Sequence, residues 1–588
     1  MSHVTPTSLM RLVASLLAAS ALLALIGRPA PAQTLPALLP ADVHLAIGLI
    51  ELGAQADRLQ PFLDEAERLG LLPALRDALP GAGPSSGGPF NDDGALAGLA
   101  PLDLLGREAW IAVSASRFEP LPSVTVIALL TPAASDAFAS AIAEAASSPG
   151  TTERQEAGSP FYTFVPSRDE TSGPTGGVPL AFAQSGEVVV VSTNPEVVRF
   201  VLRTRAGGSD ARLVDNPAYR ALEALGEGEV RAMIDPAPLT RGLEPLAASN
   251  GAAALLARLQ AALATAGPSV GVLRADDQGL LGLSRQRPDP AGGDVRLYAL
   301  LSEGLAPTPR LLSFTPGGAP SVSAGTADLA GWLAWLDDLL ASAADLGVPT
   351  ASEGLELLDL DPQALLLAWA GSQAAVIQTA PPTPPTAGLA DAPLLGEQIL
   401  LIRSTDDVAA RAGLERLLAV AGQGLAALLS PSGEGGTVPV SVEVAGVPVS
   451  RLSLSETLIL DAAVVDGWAL LSGSPDATEA VLAAHASGAD GPAELLALAD
   501  ELPADLRSWN LTGAPSGESA GSEAWIAQVQ LLAGMGGASG LDFEAVDRAS
   551  DAISGYAAFL ADRIGPSLAW TRWLDGALES ERRIYLDW

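Results

Sequence analysis

The strongest catalytic motif in the sequence is Gly-Glu-Ser-Ala-Gly at 517–521, which fits the G-x-S-x-G pattern of a nucleophile elbow with Ser519 at its centre. That motif requires a buried strand before the serine, a helix after it, and then an acid and a histidine downstream in the chain. The residues before it, Leu-Thr-Gly-Ala-Pro-Ser, are typical of a loop, and no histidine follows Ser519. We therefore interpret Ser519 as a loop residue, and we assign no catalytic residue.

Histidines are too few and too scattered to indicate a metal site. His3 lies in the leader, His44 lies in a predicted strand, and His485 lies at the end of a predicted helix, where its positive charge suits the helix dipole. No two histidines have the His-x-x-x-His spacing of a helical zinc site, and the two histidines outside the leader cannot make a three-histidine site. The sequence predicts no metal ligand and no cofactor.

Pairs of acidic residues are the remaining candidates for chemistry, as calcium ligands or as glycosidase carboxylates. The pairs are Asp92 with Asp93, Asp359 with Asp361, and Asp406 with Asp407. None belongs to an Asp-x-Asp-x-Asp-Gly loop, and a chain with 68 acids contains such pairs by chance. We interpret them as parts of a solvated surface.

Missing residue types exclude several classes of chemistry. The chain has no cysteine, which excludes disulfides, thiol catalysis and a lipid-anchored lipoprotein. All 32 basic residues are arginine, and the absence of lysine excludes a P-loop and Schiff-base catalysis. Asn510-Leu511-Thr512 has the spelling of a glycosylation sequon.

The formal net charge of −36 bears on the partners of the protein. Such a charge repels nucleic acid and anionic lipid surfaces, so we expect no nucleic-acid partner. Two interpretations of the acidic composition remain. One is a coding bias combined with a solubilising surface, and the other is adaptation to high salt, where screening relieves the repulsion between acids.

Two similar stretches of the sequence indicate how its strands and helices are connected. Val-Val-Ser-Thr-Asn-Pro-Glu-Val-Val-Arg-Phe-Val-Leu at 190–202 is repeated as Leu-Leu-Ser-Gly-Ser-Pro-Asp-Ala-Thr-Glu-Ala-Val-Leu at 470–482. In each, a β-branched or aliphatic run ends at a serine, a capping residue follows, and proline stands at the first position of a helix with an acid after it. Both stretches predict a strand that leads directly into a helix.

Further matches in the same order indicate an internal duplication. The helical pattern at 48–70 returns at 325–347 and aligns Leu59 with Leu336, and Gly-Pro-Ser at 267 returns at 565. We therefore predict a signal peptide over 1–32, a first α+β unit over 33–300 and a second over 301–588. The joint between the units is expected at about 285–320, in a stretch rich in proline and glycine.

The predicted fold class is α+β, with two tandem units that each consist of a mostly antiparallel β-sheet packed by amphipathic helices and ending in a β-hairpin. In the first unit the predicted strands are 43–50, 109–116, 123–130 and 187–192, and the predicted helices are 51–69, 134–146, 195–205 and 251–264. The predicted hairpins turn at Asp277-Gln278-Gly279 and at Asp575-Gly576, a favoured pair for tight turns.

The first 32 residues have the pattern of a secretory signal. Arg11 precedes an apolar run over 12–26, and Ala30 and Ala32 form a small-residue cleavage site. We expect an exported protein located in the periplasm, in the cell envelope or outside the cell. Membrane contact is expected only if the segment remains uncleaved as an anchor.

The entry into the first strand, Leu-Pro-Ala-Asp-Val-His-Leu-Ala-Ile-Gly-Leu at 39–49, is followed by a long helix and by Leu-Asp-Leu-Leu-Gly-Arg-Glu-Ala-Trp-Ile-Ala-Val at 102–113. This order resembles a family of exported bacterial proteins catalogued as a domain of unknown function. The second unit departs from it, with Pro-Gly-Gly-Ala-Pro-Ser-Val-Ser-Ala-Gly at 316–325. The resemblance implies an exported α+β protein, and it supplies no catalytic residues.

Two functional hypotheses follow from these observations. The first is a non-catalytic envelope or extracellular protein with a binding or scaffolding role and an unknown envelope or extracellular partner. The alternative is a carboxylate-dependent hydrolase acting on envelope polymers, with acids that only the fold brings together.

Overall fold

A computed structural model describes most of the chain. The described residues are 35–50, 56–70, 107–114, 123–147, 150–164, 180–208, 210–236, 253–344, 347–357, 361–380, 397–429, 438–453, 459–514, 552, 555–556, 559 and 562–586. The predicted signal segment and Ser519 lie outside these residues.

Twenty strands in the described residues form a single sheet. Their bounds are β1 (Val43–Ile50), β2 (Glu108–Ser114), β3 (Ser123–Leu129), β4 (Thr151–Glu156), β5 (Ser159–Phe164), β6 (Leu180–Ser185), β7 (Val188–Ser192), β8 (Val230–Ile234), β9 (Ser269–Asp276), β10 (Gly279–Gln286), β11 (Ser321–Thr326), β12 (Ala370–Gln378), β13 (Gln398–Ser404), β14 (Val440–Val444), β15 (Val447–Ser453), β16 (Ile459–Val465), β17 (Trp468–Ser472), β18 (Leu506–Thr512), β19 (Ile564–Leu574) and β20 (Ala577–Leu586).

The pairings of these strands are all antiparallel, and they give one linear order. From one edge the order is β4-β5-β6-β7-β3-β2-β1-β8-β9-β10, and it continues as β20-β19-β18-β11-β12-β13-β17-β16-β15-β14. The first ten strands and the second ten strands therefore occupy opposite halves of the sheet. The halves join where β10 pairs with β20.

Helices lie between the strands, with bounds α1 (Ala56–Arg68), α2 (Pro132–Ala146), α3 (Pro195–Arg205), α4 (Pro217–Ala224), α5 (Ala253–Ala266), α6 (Val295–Ser302), α7 (Leu329–Ala341), α8 (Ala351–Leu357), α9 (Asp407–Leu429), α10 (Pro475–Ala486) and α11 (Ala493–Ala499). Short 3-10 turns occupy Leu35–Leu38, Leu213–Asp215, Pro290–Gly292 and Pro309–Phe314, and a π-helical turn occupies Gln363–Leu367. Asn194 caps α3 by accepting a hydrogen bond from the Glu196 amide, and Ser474 caps α10 by accepting one from the Ala477 amide.

Both faces of the sheet are packed by helices. On the front face, which carries Trp110 and Trp509, α3 and α4 cover the first half and α10 and α11 cover the second. On the back face, which carries Ser284 and Ser508, α2 packs on the outer strands of the first half and α9 on those of the second. The described residues form four clusters of buried side chains, and none of these clusters includes the back face of the central strands.

The structure confirms the predicted mixture of helices and strands. The predicted strand over 43–50 and helix over 195–205 have these bounds, and the other predicted elements with described residues differ by a few residues at their ends. Asp575 and Gly576 have positive φ values of 50° and 77°, as the two-residue turn of a hairpin requires. In the first half the prediction missed α4, α6, β6, β8 and the β4–β5 hairpin, whose strand β4 is mostly polar and exposed.

Candidate functional site

A cavity of about 650 Å³ lies on the back face at the centre of the sheet. Eight neighbouring strands contribute to it: β8, β9 and β10 from the first half, and β20, β19, β18, β11 and β12 from the second. The lining residues comprise Val230, Ala232, Gly271, Val272, Leu273, Gly282, Leu283, Ser284, Ser323, Ala324, Gly325, Ala374, Ala375, Val376, Ser508, Trp509, Asn510, Ala569, Trp570, Thr571, Ser580, Glu581 and Arg582.

Small side chains on the back face produce this cavity. Residues directly opposite each other in paired antiparallel strands share a face. One such row across the central strands reads Ala232, Gly271, Ser284, Ser580, Thr571, Ser508, Gly325 and Ala374. None of these side chains is larger than threonine, so the row leaves open space where larger side chains would fill it.

Polar groups are sparse on the floor of the cavity. The Thr571 and Ser580 hydroxyls are hydrogen-bonded at 2.8 Å, and the Thr512 hydroxyl donates to the Asn510 side-chain oxygen at 3.0 Å. Among the described lining residues, the charged ones are Glu581 and Arg582. Because successive strand residues alternate between faces, Arg582 belongs to the back face and Glu581 to the front face.

Ion pairs on the front face hold the central strands together beneath the cavity. The Glu579 carboxylate of β20 contacts Arg285 of β10 at 3.0 Å and Arg572 of β19 at 3.3 Å. Arg572 also lies over the Trp570 ring, 5.1 Å from its centroid. These side chains are partly exposed, so each ion pair contributes at most about 1 kcal/mol. Their geometric effect is to span the junction between the two halves.

The same face connects β20 to the region after α11. The Tyr585 hydroxyl donates to the Glu501 carboxylate at 2.6 Å. Burial, together with this hydrogen bond to a carboxylate, raises the pKa of Tyr585 to about 12. Tyr585 therefore remains a neutral hydrogen-bond donor at physiological pH.

A buried carboxylate fixes the helices at one end of the central strands. The Asp294 side chain is fully buried, accepts a hydrogen bond from the Trp335 indole at 2.8 Å and contacts Arg258 at 3.5 Å. These contacts join α5, α6 and α7. Tyr298 of α6 packs edge-to-face on Trp573 of β19, with centroids 5.9 Å apart, and so places this helix group beside the back face.

The structure places both predicted histidines away from the cavity. His44 lies in β1, where burial lowers its pKa, although Asp235 and Asp42 partly oppose that effect. His485 stacks on Phe314 with ring centroids 3.9 Å apart, and its Nε2 is 2.9 Å from the Asp466 carboxylate. The two histidines belong to different halves and do not meet.

The acidic pairs serve local structure where they are described. Asp406 accepts hydrogen bonds from the Val408 and Ala409 amides at the start of α9, and Asp361 accepts one from the Gln363 amide. Asp92, Asp93 and Asp359 lie outside the described residues. The sequon residue Asn510 lies on β18, inside the sheet and at the cavity, rather than in a surface loop.

Sequence reasoning missed the cavity and also Arg582, the charged residue on the back face of its described lining. The available signal was glycine within strands, because Gly271 and Gly282 interrupt two apolar runs. Glycine in a strand marks a close approach or an unfilled space, and here two glycines on adjacent strands lie in one cavity floor.

No family model, curated protein or solved structure matches the chain. Within the described residues, no helix combines the length and apolar character needed to cross a membrane.

Proposed function

We propose that this chain is an exported, non-catalytic envelope or extracellular protein with a binding or scaffolding role, and that its two halves form a ligand-binding cavity at their junction. The observation that carries the proposal is the central cavity of about 650 Å³, which is lined by strands of both halves. Small-molecule sites are typically concave, mostly apolar and between about 300 and 1,000 Å³ in volume. Export is inferred from the sequence pattern of residues 1–32.

The proposal includes a tandem duplication, with units over 33–300 and 301–588. The strand order of the second half repeats that of the first when ten is added to every strand number. A shared order over ten strands with crossovers is difficult to explain by two unrelated folds.

Residue registers support the same relation. Ile127 lies opposite Val190 in the first half, and Leu401 lies opposite Leu470 in the second. The strand that carries the second residue of each pair, β7 or β17, ends at a serine, Ser192 or Ser472. Each of these strands leads into a helix that begins at proline. On this basis we pair Pro195 with Pro475 and α1 with α7, and the sequence alignment of these two helices pairs Leu59 with Leu336.

The junction itself has the geometry of an approximate two-fold axis. Leu283 lies four residues after Gly279, the first residue of β10, and Glu581 lies four residues after Ala577, the first residue of β20. These two corresponding residues are opposite each other in the β10–β20 pair. Two units that pair corresponding strands in this way resemble the two subunits of a symmetric dimer. The cavity crosses this axis.

The hydrolase alternative requires two carboxyl groups on either side of a cleft, about 5–9.5 Å apart. Among the described residues on the back-face lining, the charged group is the guanidinium of Arg582 rather than a carboxylate. The described acidic pairs cap helices. The geometry therefore favours binding over hydrolysis.

A cavity-filling variant tests the proposal. Ser284 is exposed in the cavity floor, so Ser284→Phe fills space without compressing a packed core. The matched control is Ser441→Phe, at an exposed position of the edge strand β14. A library of lipids, sugars and peptides is screened by thermal unfolding, in which a ligand at 100 times its Kd stabilises the protein by about 2.7 kcal/mol.

We expect at least one ligand class to raise the melting temperature of the natural protein and of Ser441→Phe, but not that of Ser284→Phe. A ligand shift that Ser284→Phe retains would locate binding elsewhere. Conversion of a bound ligand to a product, followed by mass spectrometry, would support the hydrolase alternative instead.

A further inference from the structure

We infer that the central cavity binds a linear acyl chain with a carboxylate head group, lying across the strands with the head group at Arg582. This inference rests on the proposed binding function and names the class of ligand for that cavity. Its first support is the shape of the cavity. The cavity is a trough that crosses eight strands, and at about 4.8 Å between neighbouring strands its floor is about 34 Å long.

That elongated floor favours a long, thin ligand. A chain of methylene groups, which is an unbranched row of carbon atoms, can lie along it across the strands. A peptide strand cannot be added to this floor, because the central strands already pair with each other on both sides.

The lining has the chemistry that an acyl chain requires. Most lining residues are aliphatic, aromatic or glycine, and the hydroxyls of Thr571 and Ser580 bond to each other. A polymethylene chain therefore loses water without burying unpaired hydroxyls on this part of the floor. A sugar would find few polar partners there, since its many hydroxyl groups each need one.

Arg582 determines where the charged end of the ligand lies. Its side chain is exposed on the back face next to the two-fold axis, opposite Gly282. Within the described part of the chain, the Arg582 guanidinium makes no hydrogen bond or ion pair, whereas the side chain of its neighbour Arg583 contacts Asp276 at 3.1 Å on the front face. A guanidinium beside an apolar trough is matched by a carboxylate at the end of an apolar chain.

The net charge of −36 opposes anions only at long range. The Debye length is about 8 Å at physiological ionic strength, so distant acids are screened and the nearest guanidinium dominates the local potential. We therefore expect binding of the carboxylate to depend on one arginine and to weaken at low salt.

The experiment measures the affinities of palmitate, hexadecanol, octanoate and hexadecyltrimethylammonium by calorimetry on the full chain, below the concentrations at which these molecules aggregate. Palmitate is expected to bind more tightly than hexadecanol, and octanoate much more weakly, since each methylene contributes up to about four-fold. Arg582→Gln is expected to weaken palmitate binding about five-fold and to leave hexadecanol unchanged. The matched control, Arg154→Gln, replaces an exposed arginine of β4 far from the cavity and should leave all affinities unchanged.

Ser284→Phe separates this inference from the proposed function. Loss of palmitate binding in Ser284→Phe, together with the Arg582 effect, supports both. Binding of compact or cationic ligands that Ser284→Phe removes, with palmitate no tighter than hexadecanol, overturns the acyl carboxylate and leaves the binding function standing. Absence of any ligand that responds to Ser284→Phe overturns both, and it would mean that the cavity is filled by another part of the chain.

Discussion

On the front face of the sheet, the row across β2, β1 and β8 consists of Trp110, Gly48 and Arg231, whereas the corresponding row across β12, β11 and β18 consists of Ala375, Ala324 and Trp509. In the first half the indole stands on one outer strand, and in the second half it stands on the other. The middle position carries glycine beside Trp110 and alanine beside Trp509. Each half therefore fills the space between its sheet and its helices with an indole, but the indole stands on a different strand in each half.

Each of the two tryptophans has its own supporting contacts. Trp110 is fully buried, donates to the Glu108 carboxylate at 2.8 Å and packs on Tyr219 with ring centroids 5.8 Å apart. Trp509 donates to the Pro307 carbonyl oxygen at 2.7 Å. The same strand order in the two halves is thus compatible with different side chains, because each half fills its own interior and gives its own indole a hydrogen-bond acceptor.

The largest expected effect is the loss of either tryptophan. Trp110→Ala and Trp509→Ala should each lower the free energy of unfolding by about 3–5 kcal/mol, because each leaves a large cavity. Chemical denaturation measures both. If only one variant were destabilised, the two tryptophans would not have equivalent roles.

A substitution at Gly48 tests more finely how the Trp110 ring packs against β1. A methyl group on Gly48 would overlap the Trp110 ring, so Gly48→Ala should cost about 1–3 kcal/mol in the natural protein. The same change should be much less costly in the Trp110→Ala background, where the ring is gone. Additive losses in this double-mutant cycle would contradict the steric explanation.

The second comparison concerns a buried ion pair that the second half has at one position of the sheet and the first half lacks at the position with the same strand order. Thr163 faces Ala181 in the first half, and at the corresponding place Arg451 faces Asp461, which is fully buried and bound by two hydrogen bonds of 2.7 Å. Asp461→Ala should cost about 3 kcal/mol, since it leaves a partly buried guanidinium without its partner.

Replacing both residues should be far less harmful. Arg451→Thr with Asp461→Ala installs the residues of the first half, and we expect unfolding within about 1 kcal/mol of the natural protein, because the pair and its desolvation cost disappear together. A double variant as unstable as Asp461→Ala would mean that the second half depends on the ion pair for its packing.

Helix capping should be equal in the two halves. Asn194→Ala and Ser474→Ala each remove the side chain that accepts from an amide in the first turn, and each should cost about 1 kcal/mol. Denaturant midpoints of the two variants provide the measurement. A cost at one site only would show that the repeated strand-to-helix junction has lost its role in the other half.

The smallest effect concerns pH and arises from His44, whose counterpart under the proposed duplication is Pro320, a residue that does not titrate. Burial lowers the pKa of His44 below its usual 6.5, so protonation favours the unfolded chain. The stability contribution is complete above pH 6.5 and decreases as the pH falls below that value. His44→Gln should remove this dependence, measured as the difference in unfolding free energy between pH 8 and pH 5 for the variant and the natural protein.

Local elements were predictable from the sequence, and long-range pairing was not. The capping residue, proline and acid of Asn194-Pro195-Glu196 specify a helix start by local chemistry, and Asp575-Gly576 specifies a tight turn. The pairing of β10 with β20 depends on backbone groups, which carry no residue code. The sequence therefore predicted a sheet for each half, whereas the structure contains one sheet that continues through both.

The cavity was hidden for a related reason. Gly271, Gly282 and Ser508 are small residues within strands, and only the register of strands that are distant in sequence places them on one surface. Arg582 was one of 32 arginines, and its position on the back face depends on the register of β20.

The β10–β20 pair also governs the order in which the molecule is completed during synthesis. Arg583 and Gln278, which are hydrogen-bonded across it, are 305 residues apart. At about 5–20 residues per second, a ribosome needs roughly 15–60 s to travel that distance. Throughout that interval β10 is an unpaired edge that can recruit strands of other chains. A nascent chain of this protein thus has a long period of vulnerability in the middle of its synthesis, and it is the period in which a chaperone would protect it most.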